Sequence, residues 1–160
     1  MLRDDIRLYV IRPALKMLNL WSQGAEMLVY GTGMVESDYN ALKQVSGIAL
    51  GVYQCEPETH SYIKQYLKKP NRKELLESIL GACQRGVMPD DEALIWDLYY
   101  ATMICRVRYL DTVAPIPDWD NAQAMAQYHA DYYNRGGKAN VDENTKVFKM
   151  LIQEVRDNDR

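Results

Sequence analysis

The stretch from Leu94 to Leu110 constrains the fold of this chain more than any other. Leu94, Ile95, Trp96, Leu98, Tyr99, Met103, Ile104, Val107 and Leu110 crowd together so closely that a helix built from them has almost no polar face. Such a helix is stable only when neighbours cover it on every side. The remaining segments must therefore supply a shell around it. Asp90 and Asp91 stand just ahead, where acidic side chains favour a helix N-terminus, so the helix is expected from about Glu92 to Leu110. A chain of 160 residues can build one core around that helix, whereas two independent cores would each be marginal. The expectation is a single, mostly α domain over residues 1–160 with this helix central and buried.

Periodicity and punctuation outline the shell. Ile6, Val10, Ile11, Ala14, Leu15 and Leu18 recur at helical spacing with basic residues between them, and Pro13 marks a kink or break in that first helix. A second helix is expected from Ala25 to about Val35, with Gly31 and Gly33 weakening its last part. The small-residue segment Asp38 to Tyr53 reads as a loop or a short hairpin near 40–54, and periodicity does not choose between them. Pro57 suits the first position of a third helix running to Leu67, and a fourth is expected from Lys73 to Arg85, closed by Gly86. Ala114-Pro115-Ile116-Pro117 is a stiff extended connection. Two further helices, Asn121–Tyr133 and Asn144–Val155, flank the Gly136-Gly137 turn.

Charge and cysteine usage narrow the function. A formal net charge of -3 argues against a nucleic-acid binder that relies on a general basic field. Cys55, Cys83 and Cys105 form no CxxC pair and read as reduced, mostly buried thiols of a protein made in the cytoplasm. The charges between Arg3 and Lys16 interrupt any apolar leader, so a cleaved signal peptide is not expected, and no apolar stretch is long enough to insert in a membrane.

The chemistry-bearing residues lie in two places. The first runs from Glu36-Ser37-Asp38-Tyr39 through Ser46, Ala49, Gly51, Gln54, Pro57 and Thr59; the second is Tyr133-Asn134-Arg135-Gly136. In order and near-spacing these resemble the soluble lytic transglycosylases and the related goose-type lysozymes. That family carries Glu-Ser-x-aromatic at a helix end, a Ser/Ala/Gly/Gln/Pro/Thr series after it, and a Tyr-Asn-x-Gly element towards the C-terminus. Its middle element, a helix ending in Tyr-Leu, is similar to Asp97 to Leu110 with Tyr109-Leu110 at its end. The motif-bearing region covers 25–137, with 1–24 and 138–160 as flanking helices. No single element is specific, whereas several in order make the match a usable hypothesis.

The resemblance implies a lysozyme-like fold and cleavage of the N-acetylmuramoyl–N-acetylglucosamine bond of peptidoglycan, with Glu36 as the single general acid/base. Glycosidic cleavage needs an acid able to protonate the leaving oxygen, a task for a carboxyl group in a partly apolar cleft. In this family the muramoyl C6 hydroxyl attacks internally, so the second carboxylate of most glycosidases is not required, nor is a metal or cofactor. The resemblance further implies substrate contacts at Ser37, Tyr39, Gly51, Tyr53, Gln54, Tyr133 and Asn134, with Gly47 and Gly51 admitting close approach and Tyr128 as a cleft wall. The partners implied are peptidoglycan glycan strands, and no nucleic acid. The sequence departs from the family at Val52-Tyr53, where Leu-Met is usual, and at Arg135, where a small residue is usual.

Plainer readings stand beside these. A lone glutamate at a helix end is ordinarily solvated, and Tyr133-Asn134-Arg135-Gly136-Gly137 also makes an ordinary helix C-cap and turn. Glu56, Glu58, His60 and His129 show no metal-ligand spacing and read as structural. Trp96, Tyr99, Tyr100 and Met103 read as core, the basic residues from Lys64 to Lys73 as a solvated face, and Cys55 as a buried thiol without a catalytic partner. Without a leader, the chain is more like a bacteriophage protein that reaches the bacterial cell wall by release or within a virion. The competing hypothesis is a non-enzymatic virion structural or assembly protein on the same scaffold, meeting other virion proteins.

Overall fold

The computed structural model describes residues 3–159; Met1, Leu2 and Arg160, at the outer ends of the two flanking segments, lie outside them. The chain is mostly helical, and no strand is present among the described residues. In order it comprises α1 (Arg3–Ile6), a π-helical stretch (Arg7–Ile11), α2 (Arg12–Met17), α3 (Gln23–Ser37), α4 (Pro57–Leu67), α5 (Lys73–Ala82), α6 (Ala93–Trp96), α7 (Leu98–Arg108), α8 (Ala122–Tyr132) and α9 (Val141–Asn158), with 3-10 turns at Pro70–Arg72 and Tyr109–Asp111. None of these helices is long and apolar enough to cross a membrane.

The central element is α7, buried at every position from Tyr100 to Val107. The expected helix from Glu92 to Leu110 is, however, divided. Asp97 adopts an extended conformation, and its side chain accepts from the Tyr100 backbone N–H at 2.9 Å, so it ends α6 and caps α7. Such a cap satisfies a backbone donor that the first helical turn otherwise leaves unpaired. The division turns Trp96 and Tyr99 outwards, against the core role expected of them, while Tyr100 and Met103 are fully buried.

Two apolar clusters meet on α7. Ala101, Cys105 and Tyr109 pack with α3, α8 and α9 and with the first helical segment, through Leu28, Met125, Phe148 and Ile11 among others. Tyr100, Met103, Ile104 and Val107 pack instead with α4, α5 and α6, through Ile63, Leu67, Ile79 and Leu94. His60 joins that second cluster. Its ring is fully buried between Asp91, 2.6 Å from Nδ1, and the Tyr100 hydroxyl, 2.6 Å from Nε2. It pins α4 to α7 and is turned away from Glu56 and Glu58, which are exposed.

Local differences from the sequence expectation have physical causes. Pro13 does not end the first helix. It falls in the first turn of α2, directly after the π-helical stretch, and the Tyr9 carbonyl that it cannot serve accepts from the Tyr99 hydroxyl at 3.0 Å. The fourth helix ends at Ala82 before Gln84, which takes the left-handed conformation expected of Gly86, with φ of 53°. The last helix begins at Val141, because the Asn140 side chain caps it by accepting from the Glu143 N–H at 3.1 Å. The 40–54 segment is a loop crossed by two isolated antiparallel bridges, Lys43 to Leu50 and Leu50 to Cys55.

A buried charge cluster ties the two ends of the chain to α3. Glu26, 6% exposed in its side chain, receives Arg7 at 2.9 Å, Arg12 at 2.8 and 2.9 Å, and the Trp21 indole N–H at 2.6 Å. Arg7 also bonds Asp4 at 2.7 Å and reaches Asp159 at 3.3 Å. Burial works against the Glu26 charge, yet the hydrogen bonds from Arg12, Trp21 and Arg7 hold its carboxyl below the usual range.

Gly31 allows α9 to close on α3. A Cβ at this position would lie 2.0 Å from Cε1 of Phe148, whose ring is fully buried. Gly31→Ala is therefore expected to lose about 2 kcal/mol through overpacking, more than the roughly 1 kcal/mol that alanine gains as a helix former. Gly81→Ala, on α5 with open space around the new methyl group, is expected to gain from the same propensity. Urea unfolding of the two variants checks this, and equal midpoints would contradict the close packing at Phe148.

Candidate active site

Helix α3 carries Glu36 out of the core. Ser22 caps its start by accepting from the Ala25 N–H at 3.0 Å, and Asp38, with φ of 53°, ends it. Every residue from Ala25 to Met34 is buried, whereas Val35, Glu36 and Ser37 are only partly so. The last turn thus delivers a carboxylate with 17% of its side-chain surface exposed at the edge of the apolar interior. Sequence periodicity placed Glu36 just beyond the helix; it lies within the final turn.

The segment after α3 folds back against that turn. Ser37 donates to the Val52 carbonyl at 2.7 Å and to the Gly33 carbonyl at 3.3 Å, fastening the helix end to the loop. Leu50 and Cys55 exchange backbone hydrogen bonds of 2.9 Å in both directions, closing a tight turn over Gly51–Gln54. Gly51 has φ of 71°, and a Cβ there would lie 2.0 Å from the Leu94 carbonyl oxygen. Only glycine meets both conditions without strain. Gln54, at φ of 48°, donates from Nε2 to the Gly51 carbonyl at 2.8 Å.

The opposite wall comes from the end of α8 and from α7. Tyr133 is buried, and its hydroxyl donates to the Tyr53 carbonyl at 2.7 Å, so the two motif segments are directly joined. Burial pushes its phenol well above the usual range, keeping it a donor. The Arg108 guanidinium lies 4.1 Å from the centre of the Tyr133 ring and also bonds the Tyr133 carbonyl. Asn134 follows, with its N–H on the His129 carbonyl at 3.1 Å.

Between these walls is an open cleft of about 660 Å³, lined by Glu36, Ala41, Gln44, Val45, Ala49, Gln54, Glu56, Thr59, Arg108, Tyr133 and the turn Asn134–Gly137. Glu36, Gln54, Tyr133 and Asn134, far apart in sequence, are brought to one cavity. A second groove of about 410 Å³ adjoins it, sharing Thr59, Arg108 and Arg135, with Tyr62, Tyr66 and Tyr132 on its walls.

The other expected contact residues do not line the cleft. Ser37 is a fastener, as above. Tyr39 bends back over α3, its hydroxyl donating to the Tyr30 carbonyl at 3.1 Å and its ring occupying the space that a side chain at Gly33 would need. The Tyr53 side chain is buried in the core, with its hydroxyl 2.9 Å from that of Thr102. Gly51 makes its close approach to Leu94, and Gly47 faces the Gln44 side chain. Tyr128, read as a cleft wall, donates to the Ala114 carbonyl at 2.8 Å and is buried. Cys55, beside Gln54, is buried too, and burial pushes its thiol up to about 12, which disfavours the thiolate.

One residue at the site escaped sequence reasoning. His129, fully buried on α8, has Nε2 2.8 Å from Oε1 of Glu36, and its ring stacks on Tyr133 with centroids 5.6 Å apart. Its partner lies 93 residues away. Its spacing to Tyr133, one helical turn, is the only local signal.

The chain matches no protein-family model, no curated protein and no solved structure.

Proposed function

We propose that the protein cleaves peptidoglycan at the N-acetylmuramoyl–N-acetylglucosamine bond as a lytic transglycosylase, or as a lysozyme on the same lysozyme-like scaffold, with Glu36 as its acid/base. The observation that supports this most is the shared cleft. A partly exposed carboxylate at an apolar helix end faces a sugar-sized void together with Gln54, Tyr133 and Asn134. Tyr133 and Gln54 also do structural work, joining the motif segments and closing the turn, so the reading rests on the Glu36 carboxylate at the edge of a concave site.

The chemistry follows from one carboxyl group. Protonated Glu36 gives its proton to the bridging oxygen as the bond from that oxygen to muramoyl C1 breaks. The C6 hydroxyl of the same muramoyl unit then closes on C1, and its proton returns to the Glu36 carboxylate. The glycosidic bond is exchanged for a 1,6-anhydro ring, and the acid is regenerated. In the hydrolytic variant, water replaces the C6 hydroxyl and leaves a reducing end. The site of action on this reading is the bacterial cell wall, reached as a phage product or within a virion.

A second reading, a virion assembly protein without turnover, draws support from exposed aromatic side chains outside the cleft, Tyr9 at 68% and Trp96 at 60%. Turbidity of purified peptidoglycan, with mass spectrometry of the soluble fragments, separates the readings. Clearing with 1,6-anhydromuramoyl ends is expected. Reducing ends would make the protein a lysozyme, and no release from walls of several chemotypes would move the assembly reading ahead.

A further inference from the structure

The acid of a single-carboxylate site must present its proton in one direction, and nothing in the sequence shows what orients Glu36. We propose that His129 is its positioning residue: the Nε2–H of His129 occupies Oε1 and leaves Oε2 as the oxygen that carries the transferable proton. The assignment rests on the enzymatic reading above for its catalytic meaning, but its geometry stands independently.

Three observations carry it. His129 has no exposed surface, and its Nδ1 is buried without a hydrogen-bond partner, whereas Nε2 lies 2.8 Å from Oε1. A buried N–H without an acceptor is rarer and costlier than a buried lone pair without a donor, so the ring proton belongs on Nε2. A half-turn of the ring would bring Cε1, not Nδ1, opposite Oε1, and the ring plane itself is fixed. It is stacked on Tyr133, which is anchored through its hydroxyl to the Tyr53 carbonyl and overlain by Arg108. Finally, Oε2 of Glu36 has no protein partner among the described residues, while the side chain borders the cleft.

An N–H fixed on Oε1 makes that oxygen an acceptor only. The acidic proton must then sit on Oε2, and the same N–H stabilises the carboxylate left after proton transfer. Arg108 and Tyr133 act through His129 in this scheme, since they hold the ring and do not touch the carboxylate.

The test uses the full chain, whose two histidines give a simple imidazole spectrum. Long-range proton–nitrogen correlation is expected to show His129 protonated on Nε2, with a hydrogen-bonded proton that moves upfield in Glu36→Ala while the His60 signals stay in place. A ring protonated on Nδ1, or one indifferent to Glu36→Ala, would overturn the proposal. In the clearing assay His129→Leu is expected to lose about 100-fold in kcat with KM little changed, and His129→Gln, which keeps an N–H within reach, to recover most of it. Equal rates for Leu and Gln would also overturn it. If wild type clears no wall, the spectrum alone decides the pairing, and the failure belongs to the enzymatic reading.

Discussion

Glu36→Gln is expected to lower the rate of peptidoglycan clearing by about 10³-fold or more while leaving the melting temperature where it was. Glutamine has the shape of glutamate and keeps a carbonyl oxygen for the His129 Nε2–H, so the last turn of α3 and the wall of the cleft lose no contact. What it lacks is a transferable proton. General acid or base assistance by a placed side chain contributes roughly 10²- to 10⁴-fold to a rate, and here one group serves both the departure of the leaving sugar and the closure onto C1. The other carboxylate in the lining, Glu56, is exposed at the start of α4, and His129 is buried behind Glu36. Initial rates of turbidity loss, paired with a thermal melt of each protein, make the comparison. A variant that clears walls at the wild-type rate would remove Glu36 from the chemistry and return it to the ordinary solvated glutamate of a helix end.

The largest effect on stability is expected at Glu26. Glu26→Ala leaves Arg7, itself 1% exposed, without its main buried counter-charge, and Arg12 and Trp21 without their acceptor. Breaking a buried ion pair from one side costs about 3–5 kcal/mol. Asp4 and Asp159 still reach Arg7, which favours the lower figure. For a domain of this length, about 3 kcal/mol is roughly 6–12 °C in Tm. The same cluster sets an acid limit. Because folding lowers the Glu26 pKa, its contribution is complete above the unfolded value of about 4.3, and it is lost as pH falls from there through the lower folded value. Thermal melts of wild type and variant between pH 7 and pH 3 check both statements. The gap between them should be widest near neutrality and shrink in acid. A gap below about 1 kcal/mol at pH 7 would mean that water or Asp4 replaces the lost partner.

Much of the helical plan was legible because it depends on local signals. Pro57 opens α4 and Leu67 ends it as the sequence suggests, and the apolar face of α3 predicts its burial. What escaped was decided by single polar side chains inside or beside apolar runs. Asp97 divides a stretch whose hydrophobic pattern continues unbroken across it, and Asn140 starts α9 a turn before its periodic residues begin. Gln84 accepts a left-handed conformation that sequence preference assigns to the nearby glycine.

The candidate site divides along the same line. Glu36, Gln54, Tyr133 and Asn134, singled out in the sequence, line one cavity. It did not foretell side-chain direction at Ser37, Tyr39 and Tyr53, because direction depends on which neighbour offers an acceptor: Val52, Tyr30 and Thr102. His129 was illegible for a related reason. A lone histidine on an apolar helical face gives no sign of whether its partner is a carboxylate or a carbonyl.

Helix α7 is shared by both apolar clusters, and its last residue, Arg108, lines the cleft. It acts as a common beam: the end of α3 and the loop after it form one wall of the cleft, and the end of α8 with Arg108 of α7 forms the other. The stretch from Asp38 to Ala49 exposes Val45, which lines the cleft, and Ile48. On the proposed reading, a glycan strand in the cleft lies against Val45 of that stretch.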